Sequence, residues 1–145
     1  LKPAIDARFR TLPDRDNTFI MGSSMGGILS LYAISEYPAV FGGAACLSTH
    51  WIGTFSANAA LPLAELQYFQ AHVPDPGTHR LYMDRGTRDL DSLYALAQPL
   101  ADQLIRDRGY GDDRFQTRII DGAGHSESDW GARVVGPLRF LLGRP

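Results

Sequence analysis

Leu1, Ile5, Phe9 and Leu12 recur at helical spacing with Pro3 in the first turn, so the chain is predicted to open on an amphipathic helix. Pro13-Asp14-Arg15-Asp16-Asn17 then reads as a turn, and the apolar run Thr18-Phe19-Ile20-Met21 as a strand over 18–22. Ile28, Leu31, Tyr32 and Ile34 predict a helix over 25–37, stopped by Pro38. Further strands are expected near 44–47, over Arg80–Asp84 and over Phe115–Ile120. In the last of these Gln116 and Arg118 alternate with apolar residues, which places it nearer a sheet edge than the unbroken run at 18–21. Leu93, Leu96, Leu100 and Leu104 predict a helix from Asp91 to Arg108, closed by Gly109 and Gly111, and Trp130, Val134, Leu138 and Leu141 a closing helix. Strands that alternate with helices imply an α/β unit with four parallel strands. Residues 48–79 are less regular and hold one helix, Pro62–His72; a connection this long at the carboxyl end of a strand is a candidate pocket wall or lid.

A length of 145 residues suits one domain with a real core. Sixteen acidic against fourteen basic residues leave a net charge of −2 with no basic cluster, which argues against nucleic acid or anionic membranes as partners. No apolar run approaches the roughly 20 residues of a membrane span, so a soluble protein is expected, with a cytoplasmic location favoured. Cys46, the single cysteine, lies in Ala44-Ala45-Cys46-Leu47 and reads as a buried structural thiol. The chain begins Leu1-Lys2 with nothing like a signal peptide, and it reads as a fragment or a processed chain.

Chemistry enters with Gly22-Ser23-Ser24-Met25-Gly26, set between the first strand and its helix. This is the pattern of a nucleophile elbow, a tight turn that lifts one serine, here Ser24, above the sheet edge between two small residues. A serine hydroxyl needs a base to take its proton and a third group to hold that base, with the expected chain order Ser, acid, His. The loop after the third strand supplies Gly86-Thr87-Arg88-Asp89, and that after the fourth Asp121-Gly122-Ala123-Gly124-His125. His125 is the expected base. Asp89 is the preferred acid for its place inside the loop, Asp84 ends the strand, and Asp91 is placed to cap the following helix. The backbone N–H of Met25 is one expected oxyanion donor; the second should come from a loop upstream of the elbow, which this sequence lacks.

Met21-Gly22-Ser23-Ser24-Met25-Gly26-Gly27, the Gly86–Asp89 loop, and Gly124-His125-Ser126-Glu127 followed by Trp130 and Arg133 resemble the carboxyl-terminal half of the Putative esterase family. That family includes esterase D and the enterochelin esterases. The resemblance covers nearly all of the chain and implies the carboxyl-terminal part of an α/β-hydrolase fold, its four strands the last of eight. It further implies hydrolysis of a small-molecule carboxylic ester without metal or organic cofactor, with Ser24 as nucleophile, His125 as base and then acid, and Asp89 as the orienting carboxylate. His50-Trp51 is similar to a pocket-lining stretch of such enzymes. Two alternatives stay open: a mycolyltransferase-like acyltransferase with the same residues, and a non-catalytic binding domain in which Gly22–Gly27 forms an anion-binding turn.

Overall fold

The computed structural model describes residues 1–143. Four strands, β1 (Phe19–Ser23), β2 (Gly43–Leu47), β3 (Arg80–Gly86) and β4 (Phe115–Ile120), form one fully parallel sheet in the order β1-β2-β3-β4. The register sets Ser23 beside Leu47, Leu47 beside Asp84, and Gly86 beside Ile120, so the loops that leave the carboxyl ends of all four strands are neighbours. Chemistry-bearing side chains far apart in sequence are thereby gathered at one end of the sheet.

Helices α1 (Lys2–Arg8), α2 (Met25–Glu36), α3 (Ala60–His72), α4 (Ala97–Asp107), α5 (Glu127–Arg133) and α6 (Val135–Leu142), with 3₁₀ helices at Arg15–Asn17 and Asp89–Ala95, complete the element order. The main core lies where α2, α3 and α4 cover one face of the sheet, around Leu31, Ile34, Cys46, Phe69, Met83, Ile105 and Phe115. A smaller cluster of Ala45, Leu47, Tyr82 and Leu141 lies under α6 on the other face. Cys46 is fully buried, as its apolar neighbours suggested, and burial pushes its thiol far up. β4 forms one edge of the sheet, and β1, despite its apolar run, forms the other, with Met21 40% exposed.

Three helices depart from expectation for identifiable reasons. The apolar stripe of α1 meets no cover among the described residues, and Leu1, Phe9 and Leu12 stay exposed. The helix expected from Asp91 to Arg108 begins instead as a 3₁₀ helix, Asp89–Ala95, before α4 takes over. The expected closing helix is two, because Pro137 has no N–H to offer the carbonyl of Arg133 and its ring crowds that group. The break falls at Val134, and α5 brings Trp130 and Arg133 into contact with Ser48 and Asp84 at the carboxyl end of the sheet.

Candidate active site

Ser24 sits at the junction of β1 and α2 with φ 56° and ψ −121°, a backbone conformation that costs a non-glycine residue of order 1–3 kcal/mol. The end of β2 holds it there: the Ser24 N–H donates to the Leu47 carbonyl at 2.9 Å, and the Ser24 carbonyl accepts from the His50 N–H at 3.2 Å. Gly22 is needed, since a Cβ there would stand 2.5 Å from the Gly26 backbone. At Gly26 itself a Cβ would meet nothing within 4 Å among the described residues, so the small residue matters on one side of the turn only. A serine preceding a helix ordinarily caps it. Here the Ser24 side chain makes no cap bond, and its Oγ lies 2.8 Å from His125 Nε2. Met25 opens α2, so its N–H is among those that lack an intrahelical acceptor.

His125 comes from the loop after β4, which is fastened to the loop after β3. The Ala123 carbonyl accepts the N–H groups of Thr87 and Arg88, each at 3.0 Å, and the Thr87 hydroxyl donates to Asp121 while accepting from the Gly122 N–H. The imidazole is further confined by edge-on contact with Trp130, ring centroids 4.9 Å apart, and with Tyr94 at 5.8 Å.

The carboxylate that meets His125 is Asp91, not Asp89. Asp91 Oδ1 lies 2.6 Å from His125 Nδ1, and its side chain is 0% exposed. Asp91 Oδ2 accepts from the Ser48 hydroxyl and from the Gly86 N–H, both at 2.5 Å. Asp89 is exposed, takes φ 51° and lies beside Gly124, while its carbonyl receives the Ser92 hydroxyl. In a 3₁₀ helix of three residues per turn, positions two apart point about 120° away from each other, so only one of Asp89 and Asp91 can face inward. Nor does Asp91 cap a helix, the role its place in the sequence suggested. Asp84 is also fully buried, but it binds Arg133 and the Ser48 N–H instead of the histidine. Burial pushes the Asp84 carboxyl up against the pull of the Arg133 guanidinium.

The two residues expected to line a pocket part company. His50 reaches the site: its ring lies 6.3 Å from that of His125, and its Nδ1 is 2.7 Å from the Tyr94 hydroxyl. Burial, and then the neighbouring His125, hold His50 below the usual histidine range, so it is neutral near pH 7. Trp51 does not line the site. It is 0% exposed, packs edge-on against Phe69 and donates its indole N–H to Gln98 Oε1 at 3.0 Å, so its ring belongs to the core. Ser48, Trp130 and Arg133 join the polar cluster behind His125; Ser48 carries no sequence signal beyond its place after a strand.

The arrangement can polarise a serine hydroxyl. An ionised Asp91 can only accept, which fixes the proton on His125 Nδ1 and leaves Nε2 free to accept from Ser24. From Met25, the residue after Ser24, an open apolar groove of about 660 Å³ runs between α2, with Ile28, Leu29 and Tyr32, and α3, with Ala64, Tyr68 and Phe69.

The model of the Putative esterase family matches residues 1–141. Among curated proteins the chain is similar to the uncharacterized protein YbbA of Bacillus subtilis (strain 168), 22% identical over 98% of this chain and 56% of the relative. Among solved structures it is similar to a ferulic acid esterase, with TM-score 0.71 and 22% identity over 96% of this chain and 56% of that one. It is similar too to the enterobactin esterase of Shigella flexneri, with TM-score 0.72 and 20% identity over 97% of this chain and 34% of that one. The chain thus spans about half the length of the curated relative it matches. At these identities the solved structures speak for the fold, an α/β sheet of the α/β-hydrolase type, and the match along nearly the whole sequence speaks for the family. The chain belongs to the Putative esterase family.

Proposed function

We propose that the protein hydrolyses small carboxylic esters through an acyl-enzyme on Ser24, with His125 as general base and then acid and Asp91 as the carboxylate that orients it. The observation that carries this reading is the unbroken line from Ser24 Oγ to His125 Nε2 at 2.8 Å and from His125 Nδ1 to Asp91 Oδ1 at 2.6 Å. Membership of an esterase family supports it independently.

In the first half-reaction His125 Nε2 takes the Ser24 proton as Oγ attacks the ester carbonyl carbon. The tetrahedral oxyanion is met by the Met25 N–H at the start of α2, where the helix dipole also favours negative charge. His125 passes its proton to the departing alkoxide, leaving the acyl group esterified to Ser24. Water then repeats the sequence, with His125 as base, and releases the acid. Asp91 stays ionised throughout and stabilises the imidazolium.

His50 is the residue we place against the substrate, neutral and steadied by Tyr94, with the exposed Phe55 ring 6.2 Å away as an apolar wall. The groove that starts at Met25 suits the hydrophobic part of the ester. The test is hydrolysis of a short p-nitrophenyl ester by the intact protein beside its Ser24→Ala variant. Loss of turnover in the variant to a small residue above the uncatalysed rate is expected; equal rates for the two proteins overturn the reading.

A further inference from the structure

Behind Asp91 lies a buried cluster that the reaction as described does not use. Arg133 donates through Nε and Nη2 to both oxygens of Asp84, each at 3.1 Å, and through Nη2 to Ser48 Oγ at 2.7 Å. Trp130 Nε1 donates to the same Ser48 Oγ at 3.0 Å, and Arg133 Nη2 lies 3.9 Å from Asp91 Oδ2. Side-chain exposure is 8% for Arg133 and 0% for both aspartates, so these charges interact with little screening by water.

The direction of every bond in the cluster follows from the chemistry of the groups. An indole N–H and a guanidinium can only donate, so they occupy the two lone pairs of Ser48 Oγ. The single proton left on Ser48 has one remaining partner, Asp91 Oδ2, at 2.5 Å. Ser48 itself adopts φ 43°, a left-handed conformation uncommon for serine, with its N–H held by the Asp84 carbonyl at 2.8 Å. When both carboxyls are ionised and His125 is neutral, two carboxylates and one guanidinium leave one net negative charge behind the imidazole. Protonation of His125 brings the whole cluster to neutrality.

We propose that Arg133 is a positioning residue for Asp91, acting through the Ser48 hydroxyl, and that Arg133 and Asp84 together set the charge that His125 meets when it takes a proton. The role rests on the reading of Ser24, His125 and Asp91 given above, but its test needs no turnover. Removing the guanidinium leaves two uncompensated carboxylates behind His125 and favours its charged form; removing the Asp84 charge leaves Arg133 to oppose that form. Among the described residues, His50 and Tyr94 stand with their rings near that of His125, Asp89 and Asp129 lie beside Gly124 with Arg88 near Asp129, and the Tyr82 hydroxyl donates to Asp84 Oδ2; none of them is altered.

The experiment is titration of the His125 ring by NMR in the intact protein and its variants. The midpoint should rise by about half to one pH unit in Arg133→Gln, fall by a similar amount in Asp84→Asn and return near the wild-type value in the double variant. Arg133→Lys keeps the charge and should leave the midpoint close to wild type, although it cannot hold Asp84 and Ser48 with one planar fork. A merely structural role would lower the melting temperature in each variant without opposite shifts that cancel. If Arg133→Gln does not fold, Asp84→Asn and Arg133→Lys still decide: a midpoint that rises or stays fixed in Asp84→Asn, or shifts in Arg133→Lys as far as a full charge loss would shift it, overturns the proposal. If instead the midpoints move as expected while the intact protein shows no esterase activity, the charge device stands and the ester reading fails.

Discussion

The site's polar cluster and its apolar groove are built on opposite terms. Behind His125, two buried aspartates, a buried serine, an arginine side chain 8% exposed and the half-buried Trp130 are joined by hydrogen bonds of 2.5 to 3.2 Å. Along the groove that begins at Met25, α2 turns Met25, Leu29 and Tyr32 outward opposite α3, with one polar group of α3 out of keeping: Glu65 Oε2, buried with no partner among the described residues. The first side is held by many contacts of its own, although Arg133 Nη1 is buried with no partner among the described residues. The second is shaped by contact with apolar matter and fixes little by itself. What distinguishes them is what each has to hold, a proton path on one side and a hydrophobic group on the other.

The largest break in this contrast should come from the polar side. Ser24→Ala should reduce kcat on a p-nitrophenyl ester by about 10⁴-fold or more, because the base and its carboxylate act only through that hydroxyl. Next, Asp91→Asn should cost about 10⁴-fold in kcat by disturbing the tautomer His125 needs, while Asp89→Asn changes it less than about threefold, since the exposed Asp89 carboxylate does not touch the imidazole. Equal losses in the two asparagine variants would dissolve the distinction between the inward and the outward carboxylate.

On the groove side the expected effect is on stability. Burial pushes the Glu65 carboxyl up to about 7, so the folded state favours the protonated acid. A carboxyl whose folded value is raised contributes stability that is whole below its unfolded value of 4.5 and is lost as pH climbs through about 7. Glu65→Gln should therefore match the wild type at low pH and exceed it by about 1–2 kcal/mol near pH 8, discounted for partial solvent screening, as read by urea unfolding. A difference independent of pH would mean that the groove is wetted and Glu65 titrates as a surface acid. The smallest expected effect lies at the start of α5, where Ser126 Oγ accepts from the Asp129 N–H at 3.2 Å. Ser126→Ala should cost about 1 kcal/mol of stability and leave the proton path aligned, since the cap holds the helix and not the imidazole.

The parts that could be read from the sequence were those in which local pattern and position coincide. Unbroken apolar runs mark β1 and β2, glycines around Ser24 mark a turn too tight for side chains at Gly22, and His125 follows the fourth strand on a glycine-bearing loop. Asp91 was harder, since its identity depends on the phase of a short 3₁₀ helix, and a helical leucine repeat starting near it suggests a cap instead. Trp51 shows the same limit: the resemblance of His50-Trp51 to a pocket-lining stretch implies a wall, but only packing against Phe69 and Gln98 tells inside from outside. Ser48 left no trace because a single serine after a strand is common. Trp130 and Arg133, three residues apart, fall on one helical face, and that spacing is the signal that could have paired them with it.

The central claim is that Ser24 is activated by His125 and that Asp91, not Asp89, stands behind the histidine. The most direct measurement is the rate at which a fluorophosphonate, which reports serine activation without requiring the natural substrate, labels the intact protein, with the modified residue located by peptide mass spectrometry. Labelling is predicted at Ser24, absent in Ser24→Ala, slowed at least 100-fold in Asp91→Asn and unchanged within about threefold in Asp89→Asn. Labelling at another serine, or a greater slowing from Asp89→Asn than from Asp91→Asn, would contradict it.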